Sequence, residues 1–252
     1  MDAAEHLRAL EDAGHAFADL AARAALSTPI PTCPAWDVAA LTRHLGTVHR
    51  WATRIVVTPL HERLPFDPFE GELARPGPED LVAWFGEGHA TLLRALDQAP
   101  PDLDCWTLLA ASSPRAFWCR RQAHETAMHL VDLALACGAP AEEAPPAFAA
   151  DGIDELLRGW LRGRPPRPEE DDGPRLRLVA TDVALDWQVG FPGSRGATIV
   201  PGEEATAPPG CTVSGPAISL YLLLWNRRTA DGLDVSGDPD VLRAWAKGRH
   251  IG

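Results

Sequence analysis

The sequence is short of positive charge and of long apolar runs. Its 252 residues carry 35 acidic and 23 basic side chains, a formal net charge of -12. A protein that tracks nucleic-acid phosphates presents a basic face, so DNA and RNA are poor candidate partners, and an anionic membrane surface is disfavoured for the same reason. No uninterrupted apolar run reaches the roughly 18 residues of a spanning helix. The opening MDAAEHLRALED lacks the basic start and apolar stretch of a secretory signal, so the expected location is cytoplasmic. Cysteine is sparse: there are 5, an odd number with no CxxC pair, which predicts reduced thiols and excludes a cysteine-rich zinc site. No GxGxxG, Walker loop or GxSxG is present, so a Rossmann or P-loop cofactor has no cradle. Lysine is almost absent, Lys247 alone against a wealth of arginine, which is a compositional skew with no chemical meaning of its own.

What remains is globular in composition, with 46% hydrophobic and 23% charged residues. The length suits two domains. The texture changes near residues 138 to 147, which predicts a first domain over 1–145 and a second over 146–252.

The first part reads as helices. A stripe of Leu7, Leu10, Ala13, Phe17, Leu20 and Ala24 predicts a helix from Ala3 to about Ala25. TPIPTCPAWD follows, whose three prolines predict an extended, rigid connector. Asp37 is placed to cap a second helix running to about Val57. A loop with Pro59, Pro65 and Pro68 leads to a third helix from about Pro78, which must end before Pro100-Pro101. The fourth covers about Ala116 to Ala136, stopped by Gly138. Four such helices predict a four-helix bundle. A fifth, about Phe148 to Leu161, leads to a polar linker over 163–174. Then come strand candidates at Arg175–Thr181, Ala184–Val189, Ala197–Val200, Cys211–Ser214 and Leu233–Ser236, an apolar helix Ala217–Asn226, and a last helix Val241–Lys247 capped by Asp238. The second domain is therefore small and α+β.

The string HETAMH, residues 124 to 129, invites comparison with the HExxH zinc motif and fails it. His124 and His129 are five apart and point about 140° from each other on a helix. Glu125 and His129 are four apart and share a face, so one carboxylate and one imidazole can meet a divalent ion there. The alternative is a solvent-facing pair, and a metal needs a third ligand from another helix. His44 and His49 both flank the apolar stripe of the second helix, and periodicity does not choose between them. Asp132 follows His129 by one turn; it reads either as an acceptor orienting the imidazole or as a solvated charge. Arg227 and Arg228 end the apolar helix, where an arginine either binds the last carbonyls or offers a planar fork to a carboxylate. Trp36, Trp51, Trp84 and Trp118 read as core residues or as pocket lining.

Four segments, PTCPAWDVAALTRHLGTVHRWA (31–52), RRQAHETAMHLVDLALACG (120–138), VSGPAISLYLLLWNRR (213–228) and LDVSGDPDVLRAW (233–245), resemble in that order the maleylpyruvate isomerase family of mycothiol-dependent enzymes. The resemblance spans nearly the whole chain. It implies a DinB-like four-helix bundle that holds a divalent metal, usually zinc, followed by a small sterol-carrier-like α+β domain. It implies a metal triad of one histidine and a Glu-x-x-x-His pair. The pair falls on Glu125 and His129. The lone histidine follows a tryptophan by eight residues, which selects His44 after Trp36. The family's substrate-facing arginine falls on Arg227, with Arg228 one position away. The implied cosubstrate is mycothiol, whose metal-bound sulfur is held as thiolate at neutral pH. The thiolate adds to a small electrophile while Arg227 holds a carboxylate. An isomerase then rotates the adduct and expels the thiol, whereas an S-transferase keeps it. Zn²⁺, Ni²⁺, Mn²⁺ and Fe²⁺ are all admissible, since such a ligand set discriminates weakly. The competing expectation is a non-catalytic metal-binding or accessory protein on the same bundle. The loop over 58–76, the electrophile and the oligomeric state carry no readable signal, and His49 and His124 are extra histidines beside the triad, read either as acid/base groups for the substrate or as mere neighbours.

Overall fold

A computed structural model describes residues 1–66, 76–141, 144–160, 174–190, 198–201 and 208–248. The chain divides into two compact units, Met1–Ala141 and Glu142–Gly252.

The first unit is a four-helix bundle: α1 (Ala3–Ala21), α2 (Val38–Val57), α3 (Leu81–Gln98) and α4 (Pro114–Cys137). Helix α1 packs on α4 and α3, and α2 packs on the same two. Asp2 begins α1 with a reciprocal capping box to Glu5, and Asp37 caps α2 by accepting from the Ala40 amide. Gly138 ends α4 with φ of 63°, a left-handed conformation that glycine adopts without Cβ strain. Phe17, Leu41, Leu45, Phe85 and Leu133 meet in the core, with the Phe17 and Phe85 rings 4.8 Å apart. Each such side chain contributes roughly 2 kcal/mol by leaving water.

Two boundaries in this unit differ from expectation by three residues or more. Helix α1 stops at Ala21, a turn before Ala25, because Arg23 and Ala24 donate to the carbonyls three residues back and tighten the chain out of the helix. Helix α3 begins at Leu81, since Pro78 to Asp80 form a turn. The proline-rich connector is not extended either. Ile30 donates to the Trp36 carbonyl at 3.0 Å, Trp36 donates to Cys33 at 2.8 Å, and Ile30 is buried. The segment is folded back on itself, because these backbone groups pair with one another within it.

The second unit opens with α5 (Pro146–Asp154), which continues into a π-helical turn at Glu155–Trp160. The expected linker at 163–174 lies outside the described residues except for its last member. Strands β1 (Arg175–Ala180), β2 (Leu185–Gly190), β3 (Thr198–Pro201), β4 (Cys211–Gly215) and β5 (Asp234–Gly237) form one sheet in the order β3-β2-β1-β4-β5. Strand β1 pairs antiparallel with β2 and parallel with β4, with Leu178 opposite Val213. Helix α6 (Ala217–Leu224) is buried almost all round and packs on α5, which accounts for its apolar sequence. Helix α7 (Pro239–Gly248) follows Asp238, whose carboxylate accepts from the Asp240 amide. Among the described residues no helix is long and apolar enough to cross a membrane.

Candidate metal centre

Helices α2 and α4 bring three side chains to one point. Glu125 Oε1 lies 3.4 Å from His44 Nε2 and 3.3 Å from His129 Nε2. One ligand atom from each residue lies within 4.8 Å of the other two. Two imidazoles and one carboxylate are a donor set suited to zinc and similar divalent ions. The side chains of His44 and Glu125 are each 24% exposed and that of His129 only 7%, so the cluster is reached from the His44–Glu125 side.

The Glu125–His129 pair follows from its spacing of four on α4. His44 is the residue that α2 presents to it. His49, one turn and a half further on, is fully buried elsewhere: its Nε2 meets Thr126 Oγ1 at 2.9 Å and its ring lies 5.5 Å from that of His89. His124 is also buried, with its ring 5.9 Å from His6. The two histidines of HETAMH thus face different surroundings, as the five-residue spacing requires.

Asp132 is fully buried and is not a solvated charge. Its Oδ2 accepts from His129 Nδ1 at 2.9 Å, and its Oδ1 accepts from Thr32 Oγ1 at 2.5 Å. This leaves His129 Nε2 turned to Glu125. Arg121, also buried, lies one turn before Glu125 and donates from Nη2 to Glu125 Oε2 at 3.1 Å. Thr32 and Arg121 were not expected at the site. Arg121 stands four residues before Glu125, so its spacing was a usable signal. Thr32 comes from the folded connector and no local pattern announces it.

Burial pushes the Glu125 carboxyl up, but hydrogen bonds from His129 and His44, with the charges of His129 and Arg121, outweigh it and hold the group well below its usual range. Burial likewise favours neutral His129, yet the carboxylates of Asp132 and Glu125 raise it to about 9. His49 is held neutral well below the ordinary histidine range, first by burial and then by the nearby His89.

Aromatic rings border the cluster. Trp36 lies 4.7 Å from the His44 ring and 6.1 Å from that of His129, and Phe66 lies 5.9 Å from His44. Trp51 sits 5.7 Å from Phe66. Trp84 instead carries the Arg50 guanidinium 3.8 Å above its ring, and Trp118 is core.

In the second unit, Arg227 is buried just beyond α6 and donates from Nη1 to the Trp225 carbonyl at 2.8 Å. Arg228 donates to Ser219 Oγ at 2.7 Å and to the Asp231 carbonyl at 2.9 Å. Both line a cavity of about 460 Å³, together with Asn226, Arg243 and Trp245. Asn226 adopts φ of 60°, an uncommon conformation for a residue with a Cβ, and it sets the turn from which the two arginines project.

Residues 7–134 match the family model described as mycothiol maleylpyruvate isomerase N-terminal domain, and residues 147–244 match the MDMPI C-terminal domain. Two solved structures share the fold, the mycothiol-dependent maleylpyruvate isomerase and a histidine-to-alanine mutant of it. Their TM-scores are 0.63 and 0.64, each at 16% identity over 94% of this chain and 93% of theirs. Among curated proteins nothing matches.

Proposed function

The chain belongs to the mycothiol maleylpyruvate isomerase family in both its domains, and from that premise we propose that it is a metal- and mycothiol-dependent enzyme acting in the cytoplasm. The substrate in this reading is a small electrophile bearing a carboxylate. The reaction is thiolate addition, ending either in cis/trans isomerisation with the thiol returned or in S-transfer with the thiol retained.

The observation that carries the reading is the convergence of His44, Glu125 and His129, with Asp132 behind His129. These three would hold the metal, zinc being the first candidate. A bound divalent ion supplies the Lewis acidity that keeps a coordinated thiol deprotonated at neutral pH. With a metal bound, Asp132 would keep the proton on His129 Nδ1 and leave the Nε2 lone pair for the ion. Thr32 holds Asp132 in turn. Trp36 and Phe66 stand beside His44 and give the accessible side of the cluster an apolar border. Arg227 would take the substrate carboxylate, a role that rests on the family resemblance, since in this structure its Nη1 donates to the Trp225 carbonyl. All five cysteines are free thiols, which suits a reducing compartment.

The test is metal content by mass spectrometry of the purified protein, beside Glu125→Ala and His129→Ala. About one divalent ion per chain is expected, lost in both variants. Metal-replete protein is then offered mycothiol and a panel of unsaturated carboxylates. Thiol recovered after product forms indicates an isomerase, and thiol consumed indicates a transferase. Absence of metal uptake even on titration would overturn the mechanism. Metal without any thiol-dependent reaction would point to the accessory protein instead.

A further inference from the structure

Arg121, Glu125 and His129 stand four residues apart on α4 and form one stripe, a guanidinium, a carboxylate and an imidazole in succession. The two oxygens of Glu125 are divided between its neighbours. Oε1 faces both histidines, at 3.4 and 3.3 Å. Oε2 receives the Arg121 Nη2 hydrogen at 3.1 Å, and the Arg121 side chain is only 3% exposed. A charge buried to that degree is held in place by the groups it meets, and Glu125 Oε2 is one of them. The Arg121–Glu125 pair is therefore a rigid element, in contrast to the adjustable ion pairs of a protein surface.

A carboxylate can bind a metal through one oxygen or through two. Bound through two, Glu125 with the two histidines would occupy four positions, so water or a thiol would enter only as a weaker fifth ligand, where a catalytic zinc-type site with three single-atom protein ligands takes it as the fourth. We propose that Arg121 is a positioning residue that commits Glu125 to single-oxygen binding, and so reserves a coordination position for the thiol. This rests on the metal reading above and adds to it a residue outside the triad. The planar guanidinium matters here: it engages Oε2 directionally, and a lysine could do so only as a point charge.

The test uses Co²⁺ as the probe metal, in full-length wild type, R121M, R121Q and R121K. Tetrahedral Co²⁺ absorbs strongly in the visible, and five-coordinate Co²⁺ weakly. The wild type is expected to show the strong bands, and 2-mercaptoethanol to add a sulfur-to-cobalt charge-transfer band. R121M still binds Co²⁺ but loses the strong visible bands and most of the thiol band, while R121K regains part of both. A role in folding alone would change melting temperature without changing the spectrum of the protein that remains folded. Should R121M fail to fold, R121Q takes its place, since its shorter, uncharged amide holds Oε2 more weakly than the guanidinium does. A wild-type spectrum and thiol response in the neutral variants overturns the proposal. Failure of the wild type itself to bind Co²⁺ overturns the metal reading, and the two failures are told apart by that control.

Discussion

His129 Nδ1 lies 2.9 Å from Asp132 Oδ2, and Asp132 is fully buried. A carboxylate in that position does two things to an imidazole. It fixes which nitrogen carries the proton, and it makes the other nitrogen a better donor. Asp132 is itself fixed by Thr32, a residue 100 positions away in the chain, at 2.5 Å.

Asp132→Asn should therefore weaken metal binding by about 10- to 100-fold with the fold retained. Thr32→Val removes only the support of the support and should cost less than Asp132→Asn. Competition against a chelator of known affinity measures both. Equal affinity in wild type and Asp132→Asn would show that Asp132 serves folding only.

The metal-free protein should lose stability as pH rises from 6.5 to about 9. His129 is raised from 6.5 to about 9 in the folded state by Asp132 and Glu125, against the effect of burial. The folded state thus holds a proton that the unfolded state releases, so the contribution is complete below 6.5 and vanishes as pH passes 9. A metal displaces that proton, so the loaded protein should lack this loss, and metal affinity should climb by about tenfold per pH unit within the window. Urea titrations of chelator-treated and loaded protein across the window check the difference. Parallel curves for the two forms would contradict it.

Much of this site is legible in the residues, and the rest fails for identifiable reasons. Glu125 and His129 are read from a spacing of four, because a helix repeats its face at that interval. Choosing His44 over His49 is beyond periodicity: both flank the same stripe, and what separates them is the partner each finds, Glu125 for one and Thr126 with His89 for the other. Thr32 and its connector escape for a different reason. Three prolines suggest an extended, rigid connector, but the segment is closed by backbone pairs such as Ile30 to Trp36, with the Ile30 side chain buried. The bundle and the α+β unit were both readable from helical and strand periodicity. The end of α1 was not, since Ala22 to Ala25 are good helix formers and a tightened turn overrides that preference.

His49 and His89 predict an opposite pH dependence in a lower window. Both are held below the ordinary 6.5, each first by burial. The unfolded chain takes up protons that the folded chain refuses, so their contribution is present above 6.5 and is lost as pH falls below it. His49→Gln keeps a polar group near Thr126 and removes one titrating site. It should reduce the acid-side slope of unfolding free energy by up to about 1.4 kcal/mol per pH unit. Denaturant titrations between pH 6.5 and the onset of acid unfolding supply the slope, and an unchanged slope would assign the acid sensitivity to other groups.

Gly14 faces His89 across the α1–α3 contact, and a Cβ built on it would come within 2.1 Å of His89 Nε2. A flexible side-chain tip would simply move aside. This one is pinned: Nε2 lies 3.0 Å from the Leu10 carbonyl, the residue is 2% exposed, and the His49 and His15 rings each stand 5.5 Å from its ring. Gly14→Ala should therefore destabilise the bundle by about 1–3 kcal/mol, the usual cost of overpacking, even though alanine is the better helix former. The double variant Gly14→Ala, His89→Ala separates steric conflict from other causes. If the clash with the ring is responsible, Gly14→Ala should cost much less when His89 is already alanine, and the alanine's helix preference should then offset part of the loss. A cost of Gly14→Ala that is the same in both backgrounds would show that α1 is held away from α3 by something other than this imidazole.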